Sequence, residues 1–404
     1  MRAYGTSGEE ALRARDLLKD WAGEGFLTAE QYQRMEQEPV CDFRRTNIFL
    51  RLVLFVFTLI IVGAAVALFF EVLKPPKQAA GIFLLFLAGG AYAAAEAAVS
   101  QARLYRYGIE EALAACSVGF LCTGMEVALF GDRAFSSPSN GVGFLVPAAG
   151  AILSLWIWHR FGLPYAPFAA MIFVVWVPGY WTSSHAAQHL MVAAFYTAGL
   201  ITVVAVRSRH RFTYLNDQYS IAEALLWLGI YLAINLQLSS LNLLGNLLGQ
   251  WWGAPPATTE FSRPFYWATW VLTWCLPPVV LTRGLRLKDR WIIAAGAVVV
   301  ILTLVTNKPY LGWQRHTWDP MLLGALLMGV ALFIRRWLAA GPGEIRRGFT
   351  ARRLSGRDKT WMSAGVTALG FVLPTPVTPS PQPASSDVHF GGGDSGGGGA
   401  SSDF

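Results

Sequence analysis

The feature that most constrains this chain is the run FLRLVLFVFTLIIVGAAVALFF at residues 49–70. Its one charge, Arg51, lies near its start, with Arg44 and Arg45 before it and Glu71, Lys74 and Lys77 beyond. A helix needs about 20 apolar residues to cross the hydrocarbon core of a bilayer. The run therefore reads as a first membrane span, and it sets the side of the membrane on which every later residue falls. A helix is the only open structure that satisfies its own backbone in lipid, and no segment here alternates with the period of a barrel strand. The residues before the run are charged and amphipathic, so the span reads as an uncleaved anchor.

Similar apolar segments recur along the chain. Ten are expected to span, at roughly 49–70, 79–99, 112–130, 142–158, 164–181, 189–206, 221–239, 265–282, 291–306 and 320–338. Hydrophobic residues make up 54% of the chain and charged residues 14%, against about 25% charged in soluble domains. That deficit is what many lipid-facing helices produce. The expected fold is an all-α, polytopic helical membrane protein with about ten transmembrane helices.

The net charge of +7 is distributed unevenly between the loops. One set of alternate loops holds Arg44, Arg45, Arg103, Arg106, Arg160, Arg207, Arg209, Arg211, Arg283, Arg286, Lys288 and Arg290, and the segment after the last span continues it. The other set holds Lys74, Lys77, Arg133, Arg263, Lys308 and Arg315. Short loops rich in Lys and Arg stay on the cytoplasmic side. The first set is therefore expected to face the cytoplasm, with both termini, and an even number of spans agrees with that. Such a pattern reports membrane topology rather than nucleic-acid binding.

Outside the spans, residues 1–45 read as a cytoplasmic helical hairpin. Ser7 with Glu10 and Thr28 with Gln31 have capping-box spacing, and Gly23-Glu24-Gly25 separates two helices. Within the membrane domain, 46–340, the stretch near 241–252 places Leu241, Leu244, Leu248 and Trp251 on one face and Asn242, Asn246 and Gln250 towards the other. This is expected to be an interfacial helix on the outer side. Residues 341–373 form a basic juxtamembrane segment with a short amphipathic or interfacial helix near its end. There Arg335, Arg336, Arg346, Arg347, Arg352 and Arg353 suit contact with anionic lipid headgroups. Residues 374–404, rich in Pro, Gly and Ser, lack the apolar surface to fold and read as a disordered tail. The hairpin and the tail are the parts available to a protein partner.

The sequence from Leu17-Leu18-Lys19-Asp20-Trp21 through Gly25-Phe26-Leu27-Thr28-Ala29-Glu30-Gln31-Tyr32, followed by an arginine-flanked span, resembles a family of bacterial polytopic membrane proteins, the domain-of-unknown-function 2157 family. The shared pattern is a tryptophan-bearing helix, a glycine turn, a second helix and then many spans, and it covers about residues 10–100. The resemblance implies a multi-pass protein of the bacterial inner membrane. It brings no catalytic residues with it.

Charge inside a span is costly and marks a functional candidate. Glu126 lies deepest, in the outer half of the third span, while Glu96 is expected to snorkel or pair with Arg103 or Arg106. Glu223 is explained by the start of a helix, where a carboxylate is favoured. On the outer side His185 and His189 stand four apart, the spacing of a metal pair on one helical face. With His316, Asp319 and Glu126 they would form a catalytic or metal site if the loops brought them together. The intervening glutamate of HExxH is missing, and neither a P-loop nor GxSxG occurs. Cys41, Cys116, Cys122 and Cys275 form no CxxC and read as small apolar residues. No cofactor is implied. The expected function is a non-enzymatic, transporter-like or scaffold component of envelope physiology. The alternative is a membrane-embedded enzyme acting on lipid-linked or envelope substrates at the outer face.

Overall fold

The computed structural model describes residues 46–131, 142–209, 218–238, 261–311 and 318–342, with shorter stretches at 3, 11, 14–15, 18–19, 21–23, 25–37, 44, 345–347 and 349–350. The expected helix near 241–252, the tail at 374–404, His316, Arg352, Arg353 and the capping pair at Ser7 lie outside these residues.

The described chain is all-α apart from a two-residue antiparallel pairing of Ile345–Arg346 with Phe349–Thr350. We label the helices α1 (Ala29–Gln37), α2 (Ile48–Leu73), α3 (Lys77–Ser100), α4 (Ile109–Phe130), α5 (Leu145–Phe161) and α6 (Ala166–Trp176). They continue as α7 (His185–Arg209), α8 (Gln218–Ile234), α9 (Arg263–Leu287), α10 (Arg290–Tyr310) and α11 (Asp319–Ala339). Six of them, α2, α3, α4, α7, α9 and α10, are long and apolar enough to cross a membrane, and α5, α6 and α8 are shorter apolar helices. The protein is thus, by helix length and hydropathy, a multi-pass membrane protein.

Local chemistry sets the helix ends. Before α1 the capping box is formed: Gln31 N–H donates to Thr28 Oγ1 at 3.3 Å and Thr28 N–H to Gln31 Oε1 at 3.0 Å. Asn47 caps α2 by accepting from Leu50 N–H at 2.8 Å. The helix stops at Lys74, which adopts a left-handed φ of 41° ahead of Pro75 and Pro76. α6 gives way to a 3₁₀ turn, Val177–Tyr180, at Pro178, which has no N–H to continue the helical ladder. α7 starts at His185, so the whole of HAAQH is helical.

α3 with α4, α5 with α6, α7 with α8 and α9 with α10 pack as consecutive pairs, while α2 packs on α4, and small residues lie at the closest crossings. On α3 the buried positions are Gly81, Leu84, Ala88, Ala91, Ala95 and Val99, a stripe of mostly small side chains facing α4. A Cβ at Gly81 would lie 2.6 Å from Ala128 N, and one at Gly124 would lie 3.0 Å from Gly81 O. Lipid tails are as apolar as leucine, so burying apolar surface gives helices little reason to associate. Close backbone approach through small residues supplies the contact instead. A second group forms around Val192, Tyr196, Leu200 and Val203 of α7 with Ala222, Leu226 and Ile230 of α8, and α9 and α10 join it through Val280 and Ile292. By contrast, no residue of α2 is buried.

The crossing of α3 with α4 predicts that Gly81→Leu, which forces the two backbones apart, destabilises the protein by about 2–4 kcal/mol, as overpacking a tight core does. A fall in the unfolding midpoint of the detergent-solubilised protein would register this. Gly89→Leu, where a Cβ meets nothing, should leave the midpoint near that of the native chain.

Candidate functional site

The helix pairing brings the starts of α2, α4, α8 and α10 and the ends of α3, α5, α7 and α9 to one end of the bundle. We call this the basic end, since most of the loop arginines lie there. Three groups of ion pairs occupy it. Arg51 of α2 donates through Nε to Glu111 Oε2 of α4 at 2.8 Å and through Nη2 to Oε1. Glu96 of α3 takes Arg160 of α5, not the expected Arg103 or Arg106. The neighbouring helix, rather than the following loop, supplies the cation, because α5 lies beside the end of α3.

The third group corrects the reading of Glu223 as a simple helix-start carboxylate. Glu223 is 0% exposed and binds two guanidiniums. Arg207 Nη1 of α7 donates to Oε2 at 2.8 Å, and Arg283 Nε of α9 donates to Oε1. Arg207 also reaches Asp289, between α9 and α10, through Nη2. Ser220 Oγ donates to Asp289 Oδ1 at 2.6 Å, and Trp291 N–H of α10 donates to the same oxygen at 3.0 Å. Two cations thus meet two carboxylates across four helices. An unpaired charge here would cost several kcal/mol, and the pairing of these carboxylates with guanidiniums is what allows the burial. Burial would raise the Asp289 carboxyl, but the Ser220 hydroxyl, the Arg207 guanidinium and the Trp291 amide outweigh it and hold the group below its ordinary value of 3.8.

The same face of α8 continues away from this cluster. Ser220, Glu223, Trp227, Tyr231 and Asn235 recur at spacings of three and four, so they share one side of the helix. At the far end Tyr231 Oη pairs with Thr303 Oγ1 at 2.9 Å. Asn235 Nδ2 donates to Tyr231 Oη at 2.8 Å and to Thr306 Oγ1 of α10 at 2.9 Å. Beyond the last turn of α8, Leu236 N–H donates to Tyr310 Oη at 2.6 Å and Gln237 Nε2 to Tyr266 Oη of α9 at 3.2 Å. Between the two networks stands Trp227, whose buried Nε1 has no hydrogen-bond partner. From Ser220 to Asn235 the stripe runs about 22 Å, at 1.5 Å per residue. Polar side chains therefore line the contact of α8 with α9 and α10 along most of its length.

The residues singled out in the sequence are placed differently. His185 is exposed, and His189, one turn on, is 3% exposed. His189 Nδ1 lies 2.8 Å from Ala233 O, and since a carbonyl can only accept, Nδ1 carries the proton. Phe261 packs against the ring edge-on, with centroids 5.6 Å apart. Glu126 is half-buried on α4 and interacts electrostatically with Tyr180. Asp319 stands in the first turn of α11. Among the described residues no group of three or more His, Cys, Asp or Glu is placed to hold a metal ion. Arg335, Arg336, Arg346 and Arg347 are exposed. Arg346 lies 4.8 Å over the Trp337 ring, and its Nη1 donates to Trp337 O at 3.3 Å.

A cavity of about 370 Å³ lies between α5, α6, α7 and α8, walled by Leu155, Trp158, Met171, Tyr196, Val203 and Leu226 among others. Its walls are apolar and it is separate from the polar stripe.

The fold and this stripe define the class: a multi-pass helical membrane protein with a buried polar seam. No protein-family model matches the chain, and no curated protein or solved structure does so. The resemblance of residues 10–100 to the domain-of-unknown-function 2157 family rests on the motif alone.

Two measurements probe the seam. Asn235→Leu removes the donor to Tyr231 Oη and Thr306 Oγ1, which keep their bonds to Thr303 Oγ1 and Leu302 O, and should lower stability by about 0.5–1.5 kcal/mol for each hydrogen bond lost. Because the folded Asp289 carboxyl sits below its unfolded value of 3.8, its contribution is fully present above that pH. It is lost as pH falls through the lower folded value. Unfolding midpoints taken through that acid range should show a loss in the native chain that Asp289→Asn lacks, since the variant has no proton to gain.

Proposed function

We propose that the protein is a non-enzymatic, transporter-like component of the bacterial inner membrane, and that the seam of α8 with α9 and α10 is the route of a small polar or charged species. The carrying observation is the placement of Glu223, Tyr231 and Asn235 on one buried face that runs from the basic end to the far end. Ionisable and polar groups in such a place cost stability, and in membrane proteins they mark ion or substrate pathways. A scaffold needs only small-residue packing of the kind that joins α3 to α4.

The finer topology belongs to the same reading. α2 to α11 overlap the ten segments expected to span, six of them long and apolar enough to cross, and the pairing of successive helices from α3 to α10 supports a reading of ten crossings with both termini on the cytoplasmic side. The basic end then faces the cytoplasm, in keeping with the arginine bias of its loops. Arg335, Arg336, Arg346 and Arg347, with Arg352 and Arg353 following in sequence, contact anionic headgroups on that side. The residues before α2 form a cytoplasmic hairpin that is open to a protein partner. The motif at residues 17–32 supports kinship with the domain-of-unknown-function 2157 family.

Less supports an outer-face enzyme. His189 is buried with its Nδ1 on Ala233 O while His185 is exposed, and among the described residues no third His, Cys, Asp or Glu joins them in a metal-holding group.

The test needs no known substrate. Thr303→Cys places a thiol of similar size in the seam, in a chain whose native cysteines are replaced. A membrane-impermeant maleimide is added to the basic face or to the opposite face of reconstituted vesicles. A route that opens alternately to the two sides predicts labelling from both. A thiol that stays unlabelled from either face would leave the protein a scaffold.

A further inference from the structure

A second buried carboxylate stands apart from the seam. Glu110, in the first turn of α4, is 1% exposed. Its Oε1 accepts from Tyr107 N–H at 2.6 Å, but its Oε2 is enclosed and has no hydrogen-bond partner. The charged groups that bear on it are Arg51, from α2, and Glu111, beside it on α4. Arg51 is already committed to both oxygens of Glu111.

Charge counting isolates this site. Among the described residues Glu96 is paired with Arg160, and Glu223 and Asp289 with Arg207 and Arg283. Arg51 with Glu111 sums to zero, which leaves Glu110 as a surplus carboxylate. The start of α4, with the Tyr107 and Glu110 amides, offers Glu110 only partial positive charge. A bare buried charge costs more than such partial charge offsets.

The backbone seals the site. Gly108 has a φ of +106°, and a Cβ there would lie 2.2 Å from Arg51 O and 3.1 Å from Phe55 N. α2 is thus laid directly over the start of α4 at a position only glycine can occupy. Oε2 has no contact with solvent, and the several oxygen ligands that a metal cation takes are not gathered around it among the described residues.

We propose that Glu110 is a proton-binding site of this protein and holds its proton at neutral pH. A proton is the one ligand that cancels the surplus charge without requiring volume. Bound at the carboxyl, it leaves Arg51 and Glu111 as a matched pair beneath α2. Its loss would set two like charges side by side around a single guanidinium. The site lies outside the α8–α10 seam, so its fate is independent of the labelling result at Thr303.

Infrared spectra of the full chain in lipid nanodiscs test this, because the carbonyl stretch of a protonated carboxyl is distinct from that of a carboxylate. The native protein should show the protonated band at neutral pH. Glu110→Gln, which has the size and neutrality of the acid, should fold with a similar unfolding midpoint and lack the band, and Glu126→Gln should keep it. A native protein without the band at neutral pH would overturn the proposal. So would a band that survives Glu110→Gln, or one that disappears with Glu126→Gln instead.

Discussion

Glu223 has no contact with solvent, and the arrangement of the second half of the protein follows from what that requires. A carboxylate withdrawn from water must be neutralised by groups that are themselves held in place. Here Arg207 and Arg283 come from the ends of α7 and α9, and Arg207 in turn holds Asp289. The cluster therefore fixes the relative position of four helix ends. Asp289 adds a local function by accepting from the first amides of α10. One side chain thus both starts a helix and ties it to its neighbours.

The first half is held by different means. α3 and α4 approach through Gly81, Gly124 and a line of alanines, with no charge at the crossing itself. Charge appears only at the ends, as Glu96 with Arg160 and Glu111 with Arg51. In lipid the two strategies are complementary. Small residues permit backbone contact along the helix, and ion pairs at the helix ends define the register between helices. α2 shows the minimal case, with no buried residue and a single arginine that anchors it at one end.

The apolar helices, six of them long enough to cross a membrane, were legible in the sequence because the relevant signal, a long apolar run, is local. The ten expected segments overlap α2 to α11, and the breaks at Pro75-Pro76, Gly162 and Pro178 fall where backbone chemistry requires them. The capping box at Thr28 was equally legible, since both of its partners lie within one turn. The seam was not. Glu223 looked like an ordinary helix-start carboxylate, and Arg207 and Arg283 looked like topogenic loop residues. The one available signal was the recurrence of Ser220, Glu223, Tyr231 and Asn235 on one face of an otherwise apolar helix. The pairing of Glu96 with Arg160 was likewise out of reach, because those residues are 64 apart in the chain.

The sequence by itself determined that the chain is helical and partitions into lipid, because those properties depend on the length and composition of single segments. Tertiary structure alone decided which buried charges are balanced. His185 and His189, conspicuous as a pair, diverge in environment within one turn, and Glu110 and Glu111, adjacent in the chain, differ in whether the Arg51 guanidinium is bonded to them. The physical reason is that compensation of a buried charge is a matter of a few ångströms between different helices, and no local pattern encodes that distance.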